Sequence, residues 1–264
     1  MRKKIIILVV VVISILVIAI ASRINLKSVP KCSANLDQGQ VCYVNNLTGI
    51  HAGQFNYGEQ YVKAWVEKYK ALPPAAYQET VLDNNPRPIV IAPNGTIYLV
   101  DGHHRSRATE QLSQIQHHQY RMYMQVFKKF PQSQSPQAMN DFWNWIISTK
   151  NIWLEDNGVY RDKNDIPKQV DDITNDKYRS LTGWLKEAGW CYKDAALNYH
   201  EFYWADYFRH LAQQGIIKDY PDPDVTTEQG KKAEQDYLNY IKQTGVCHAK
   251  TAEELPGYCH DNNC

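Results

Sequence analysis

Two short apolar runs, Pro88-Ile89-Val90-Ile91-Ala92 and Ile97-Tyr98-Leu99-Val100, flank the sequence Pro93-Asn94-Gly95-Thr96. Asn-Gly between apolar runs is the strongest short-range hairpin signal, because tight hairpin turns need residues that accept positive φ. The second run passes straight into Asp101-Gly102, and His103 to Leu112 contains helix formers and no breaker. This predicts a strand that hands over to a helix, with Asp101 as the cap. Before the hairpin, Tyr57, Tyr61, Trp65 and Tyr69 recur at four-residue steps beside Val62 and Val66, the stripe of an amphipathic helix that Pro73-Pro74 ends. After it, Tyr120 to Val126 alternates with Met122, Met124 and Val126 on one side, predicting a third strand. The unit reads helix, strand, strand, helix, strand.

The flanking segments set the context. Arg2, Lys3 and Lys4 precede an uncharged apolar run from Ile5 to Ala21 that closes on Ala19-Ile20-Ala21. Residues 1–21 are therefore expected to be a signal peptide or, uncleaved, an N-terminal membrane anchor, with the rest of the chain delivered outside the cytoplasm, periplasmic or secreted. Six cysteines (Cys32, Cys42, Cys191, Cys247, Cys259 and Cys264) support an oxidising compartment and disulfides, the shortest loops being Cys32 to Cys42 and Cys259 to Cys264. Residues 22–47 read as a spacer, 48–130 as the core unit, 131–215 as a helical extension packed on it, and 216–264 as a C-terminal helix and cysteine-containing tail. Within the extension, Phe142, Trp143, Trp145 and Ile146 share one helical segment and Asp156-Asn157-Gly158 marks a short hairpin. Further helices are expected over Asp176 to Ala188, Ala196 to Gln214 and Thr226 to Thr244. The fold class is α+β: a small mixed sheet with helices, followed by a mostly helical extension.

Charge is nearly balanced, at 29 basic against 28 acidic residues, so no general basic face for nucleic acid is present and any polyanion must be gripped locally. The junction at Asp101 offers such a grip. A helix start presents free backbone N–H groups and the positive end of the helix dipole. Gly102 lets a ligand approach the backbone, while Arg105 and Arg107 can fork onto phosphate oxygens. His103 and His104 can donate, accept or bind metal, and Asp101 can serve as cap, general base or ligand to a divalent ion. Glu201 lies on one helical face with Trp204, Phe208 and Leu211; a carboxylate there is either a general base or half of a structural ion pair with Arg209, Arg179 or Arg105. Asp206 and Arg209, three apart, are placed to pair along the helix.

The segment RPIVIAPNGTIYLVDGHHRSRA resembles the ParB-like and sulfiredoxin-like fold, in which a hairpin leads into a Gly-x-x-Arg turn and a helix that hold phosphate groups. The ordered blocks GIHAGQFNYG, VDGHHRSRA, FWNWI, NDKYRSL and EFYWADYFR, over roughly Thr48 to Leu211, are similar to the ParB-like nuclease family. Relatives of that fold bind and hydrolyse nucleotides, phosphorylate free serine, or repair oxidised cysteine. The last needs a cysteine where this chain has His103. Partitioning is disfavoured because no helix-turn-helix module follows, and phosphotransfer needs a nucleotide triphosphate that is scarce outside the cytoplasm. The resemblance further implies that His51 and Gln54 approach the turn and that Arg179 faces it. The expected function is hydrolysis of a phosphate ester, in nucleic acid or a nucleotide. Arg105, Arg107, Arg179 and Gly102 would hold phosphate; Asp101 or Glu201 would be the base and His103 or His104 the acid. A magnesium or manganese ion held by Asp101, a histidine and Glu201 is the accompanying metal hypothesis. The rival is a non-catalytic module for an anion or a partner protein, and the second alternative is a phosphotransferase resembling free serine kinases.

Overall fold

Along the chain the elements are β1 (Val41–Val44), β2 (Ile50–Ala52), β3 (Asn56–Tyr57), α1 (Glu59–Tyr69), the short α2 (Pro74–Tyr77), β4 (Arg87–Ile91), β5 (Ile97–Leu99), α3 (His103–Ile115), β6 (Met122–Lys129), α4 (Pro136–Ser148), β7 (Glu155–Asp156), β8 (Val159–Tyr160), β9 (Thr174–Asn175), α5 (Lys177–Glu187), α6 (His200–Gln213) and α7 (Glu228–Thr244). The computed structural model describes residues 28–189, 199–252 and 255. Residues 1–21, read as a signal peptide or anchor, Cys191, Cys259, Cys264 and the expected helical residues 196–198 lie outside them.

The predicted hairpin is β4 and β5, paired antiparallel with Ile89 opposite Leu99 and with Gly95 at φ +86° in the turn. It forms the middle of a five-stranded sheet in the order β1-β6-β4-β5-β2. Both faces of the sheet are covered, which is why β4 reads as a continuous apolar run. Ile89, Ile91, Ile97 and Leu99 join Val62, Val66, Ala108 and Leu112 on one side. Val90, Tyr98 and Val100 meet Phe142, Trp143 and Ile146 of α4 on the other. Met122, Met124 and Val126 of β6 face the first cluster, as their alternation predicts.

Part of the segment read as a spacer joins the sheet, and the disulfide expected within it is present. Its residues 41–44 form β1, an edge strand antiparallel to β6, and Cys32 and Cys42 are joined by a disulfide. Four residues among turn formers carry too short a period to announce a strand; the ladder to β6 supplies what propensity does not. The described residues from Lys31 onward form one compact unit. Cys247 has no disulfide partner among the described residues and is buried in the helical cluster of Leu181, Trp204, Phe208 and Ile241, where it packs as a small apolar side chain.

Pro73 and Pro74 close α1 by opening α2, with Pro74 at the first helical position, where its missing N–H is not needed. Asp176 caps α5 by accepting from the Tyr178 N–H at 2.9 Å, and it pairs with Arg209, which also holds Asp206 as expected along the helix. The sheet half and the helical half meet at Gly58. A Cβ there would lie 2.5 Å from the Ser180 backbone nitrogen, so only glycine lets α5 come this close.

Candidate functional site

Parallel pairing of β2 with β5 carries both chains out of the sheet at the same end: β2 into Gly53-Gln54, β5 into Val100-Asp101. Antiparallel pairing of β4 brings its first residue, Arg87, to that end as well. α5 and α6 close the opposite wall. The result is a cavity of about 350 Å³ lined by Gln54, Tyr61, Trp65, Arg87, the segment Asp101 to Arg105, Arg179, Lys186, Tyr199, Glu201 and Phe202, among others.

The helix begins differently from the sequence expectation. Gly102, not Asp101, is the N-cap of α3, with φ +93° and no side-chain cap bond. A Cβ on Gly102 would overlap the Cδ of Arg87, so this glycine makes room for an arginine stem. Asp101 is exposed in the cavity wall and accepts no hydrogen bond among the described residues. The first N–H groups of α3 have no intrahelical acceptors and add the positive end of the helix dipole to the cavity.

The two histidines point apart and are both occupied. His103 Nε2 accepts from the Gly53 N–H at 3.0 Å, and His104 Nε2 from the Gly58 N–H at 2.8 Å. Burial, reinforced by Arg179, lowers each to about 3, so both rings are neutral and the accepting nitrogens have no proton to give. Their place in the geometry is to fasten the start of α3 to the 53–58 segment. Because the unfolded histidines titrate near 6.5 and the folded ones near 3, the unfolded chain takes up more protons between these values, and stability falls as pH drops through that window. Each ring contributes a slope of at most about 1.4 kcal/mol per pH unit. His104→Gln, which keeps an acceptor oxygen for Gly58, is expected to flatten the slope measured by urea unfolding. An unaltered slope would mean that the ring is protonated in the fold.

Glu201 is an ion-pair partner of the helical wall. Its Oε2 accepts from Arg179 Nη2 at 2.9 Å and its Oε1 from Lys186 Nζ. Burial alone would raise its pKa, but Arg179 and then Lys186 outweigh burial and hold the carboxylate well below its ordinary range. A carboxylate so held is a poor base. Arg179, 3% exposed, also lies over the Phe202 ring at 3.9 Å, and its Nε and Nη1 are buried with no hydrogen-bond partner. Arg105 lies over the Trp65 ring at 4.9 Å and pairs with no carboxylate among the described residues.

The structure thus gathers Asp101, Gly102, His103, His104, Arg105, Arg179, Glu201 and Gln54 around one cavity. It does not bring Arg107 or His51 there. Arg107 faces away, paired with Asp171 and lying over Tyr57 at 5.5 Å, because a residue two positions beyond Arg105 points to a different side of the helix. His51 stands on β2 with its ring edge-on to Tyr98 at 5.2 Å, on the face opposite Ile50 and Ala52. The metal set expected from Asp101, a histidine and Glu201 does not converge: among the described residues no three such ligands meet, Glu201 is taken by two cations, and both Nε2 atoms by backbone N–H groups.

Three contributors went unread in the sequence. Arg87 could have been found from the hairpin register, which sets it opposite Asp101. Lys186 lies seven residues beyond Arg179, two helical turns along the same face of α5. Tyr199 carries no signal at all: it caps α6 at φ +60°, and its hydroxyl donates to the Val100 carbonyl at 2.6 Å, tying the helical wall to the exit of β5.

Residues 44–210 match the sequence model of a family described as "Putative ParB-like nuclease". Comparison with curated proteins gives no match. Among solved structures, the chain is similar to the crystal structure of protein Atu1540 from Agrobacterium tumefaciens, with 23% identity and a TM-score of 0.62 over 85% of this chain and 98% of that one. Likeness at this identity speaks for the fold: a ParB/sulfiredoxin-like mixed sheet with an attached helical part.

Proposed function

The chain belongs to the ParB-like nuclease family, and from that premise we propose that its cavity binds a phosphate ester and hydrolyses it, with Asp101 as the base. One observation carries this reading. The Arg179 guanidinium is almost wholly buried, yet two of its three nitrogens lack partners in the wall of the cavity that the α3 N-terminus enters. Buried guanidinium N–H groups left unpaired are costly, and a phosphate oxygen is the acceptor they suit. In the reaction, Asp101 takes a proton from water, the water oxygen attacks phosphorus, the ester P–O bond breaks, and the leaving oxygen is protonated from solvent. Arg179 and the α3 N–H groups stabilise the charge on the non-bridging oxygens. The histidines keep α3 in place for this and do not act as the acid.

Location outside the cytoplasm is part of the proposal, supported by the basic and apolar leader and by the Cys32–Cys42 disulfide. The rival, binding without turnover, is favoured by one specific feature: Glu201, His103 and His104 are all committed, which leaves Asp101 as the one free acid–base group among them.

The separating experiment incubates the full-length oxidised chain with single-stranded DNA, RNA and nucleotides, with and without magnesium or manganese. Asp101→Asn is expected to bind as the parent does and to lose turnover by about 10²–10⁴-fold, the usual contribution of a general base. Binding without turnover in the parent would favour the rival. Turnover that survives in Asp101→Asn would remove Asp101 from the chemistry.

A further inference from the structure

The cations of the cavity are unequally matched. Arg179 and Lys186 share Glu201. Arg87 and Arg105 have no carboxylate partner among the described residues, and the Nη2 of Arg87 is buried without a hydrogen bond. Both stand at the start of α3: Arg105 in its first turn, Arg87 with its stem across Gly102. Two guanidinium groups beside the positive end of a helix repel that end and each other, an arrangement that becomes favourable when an anion sits among them.

The size of that anion follows from charge. Among the arginines, lysine and carboxylates of the cavity, Arg87, Arg105, Arg179 and Lys186 stand against Asp101 and Glu201, which leaves two cationic side chains in excess; His103 and His104 are neutral, and His200 also lines the cavity. A phosphodiester link carries one negative charge, whereas a terminal phosphate monoester carries about −1.5 to −2 near neutral pH. The excess matches the monoester. The volume, about 350 Å³, is near the small end of ligand pockets, with room for one small unit and not for an extended chain.

Resting on the phosphate-ester reading above, we infer that the ligand presents a terminal phosphate monoester, as a mononucleotide or as the phosphorylated end of a single strand, held by Arg87, Arg105 and the α3 N-terminus. Arg87 is then a binding residue that reads the terminus.

The test is fluorescence anisotropy on the full-length chain, in EDTA so that metal-dependent turnover is silent. The probes are a labelled tetradeoxynucleotide with and without a 5′-phosphate, the same strand with and without a 3′-phosphate, and AMP against adenosine as competitors. At least one phosphorylated probe is expected to bind tenfold or more tightly than its unphosphorylated counterpart. Arg87→Gln and Arg105→Gln are each expected to remove most of that gain while leaving the weak binding of the unphosphorylated form. A gain confined to AMP identifies a free nucleotide, and one confined to a strand identifies its end. Binding that is equal with and without the terminal phosphate overturns the inference and leaves the phosphate-ester reading standing. No binding by any probe overturns both.

Discussion

Glu201→Ala is expected to lower folding stability by about 3–5 kcal/mol, the range for removing one partner of a buried ion pair. The value should fall toward the lower end, because Glu201 is 17% exposed and Lys186 27%. The loss arises from what is left behind: Arg179, 4% exposed, would lie in the helical wall with every guanidinium nitrogen unpaired. Urea unfolding with and without inorganic phosphate measures it. Phosphate is expected to restore part of the lost stability, and more in the variant than in the parent, since an anion that binds only the folded state stabilises it by mass action. The pH dependence has a definite sign. Glu201 is depressed below its ordinary 4.5 in the fold, so its stabilisation is fully present above that value and is lost as pH falls through the folded one. The gap between parent and variant should therefore close in acid. A gap that stayed constant below pH 4.5 would mean that the pair does not hold the helical wall.

Gly102→Ala should damage both binding and stability. The residue sits at φ +93°, where an L side chain costs about 1–3 kcal/mol, and its Cβ would overlap the Cδ of Arg87. The arginine stem cannot stay where it is. Affinity for a phosphorylated probe is expected to fall at least as far as in Arg87→Gln, roughly tenfold or more, corresponding to about 1.4 kcal/mol. Gly102→Asn separates the two causes, because asparagine tolerates the left-handed conformation yet still carries a Cβ. It should regain stability relative to the alanine variant and remain defective in binding. If Gly102→Asn bound normally, the glycine would be serving backbone conformation alone.

Much of the framework was legible because it is written in local signals. The Asn94-Gly95 turn between two apolar runs places β4 and β5, and the helix formers after Gly102 place α3. The alternation of Met122, Met124 and Val126 places β6, and the aromatic run at 142–146 places α4. What went unread lacks a period. β1 and β2 are four and three residues long and exist through pairing with β6 and β5, partners distant in sequence. The tyrosine and tryptophan stripe of α1 was legible as a face, but not as the face that lines the cavity: Tyr61 and Trp65 do so, while Val62 and Val66 go to the core.

The same division holds for the site. That a strand-to-helix junction with free backbone donors lies at Asp101 to Arg105 follows from the sequence itself, because a strand that ends in Asp-Gly before a helix exposes those donors wherever it folds. Which neighbouring side chains act there was decided by tertiary structure. His103 and His104 became neutral fasteners because Gly53 and Gly58 donate to them, and Glu201 became a lock because α5 delivers Arg179 and Lys186 to it. Arg107 turned away with its helix face, and Arg87 entered through the register of a strand pair. Residue type fixes what a group is able to do; whether it is charged, committed or free depends on burial and on partners that the chain brings from far along its length.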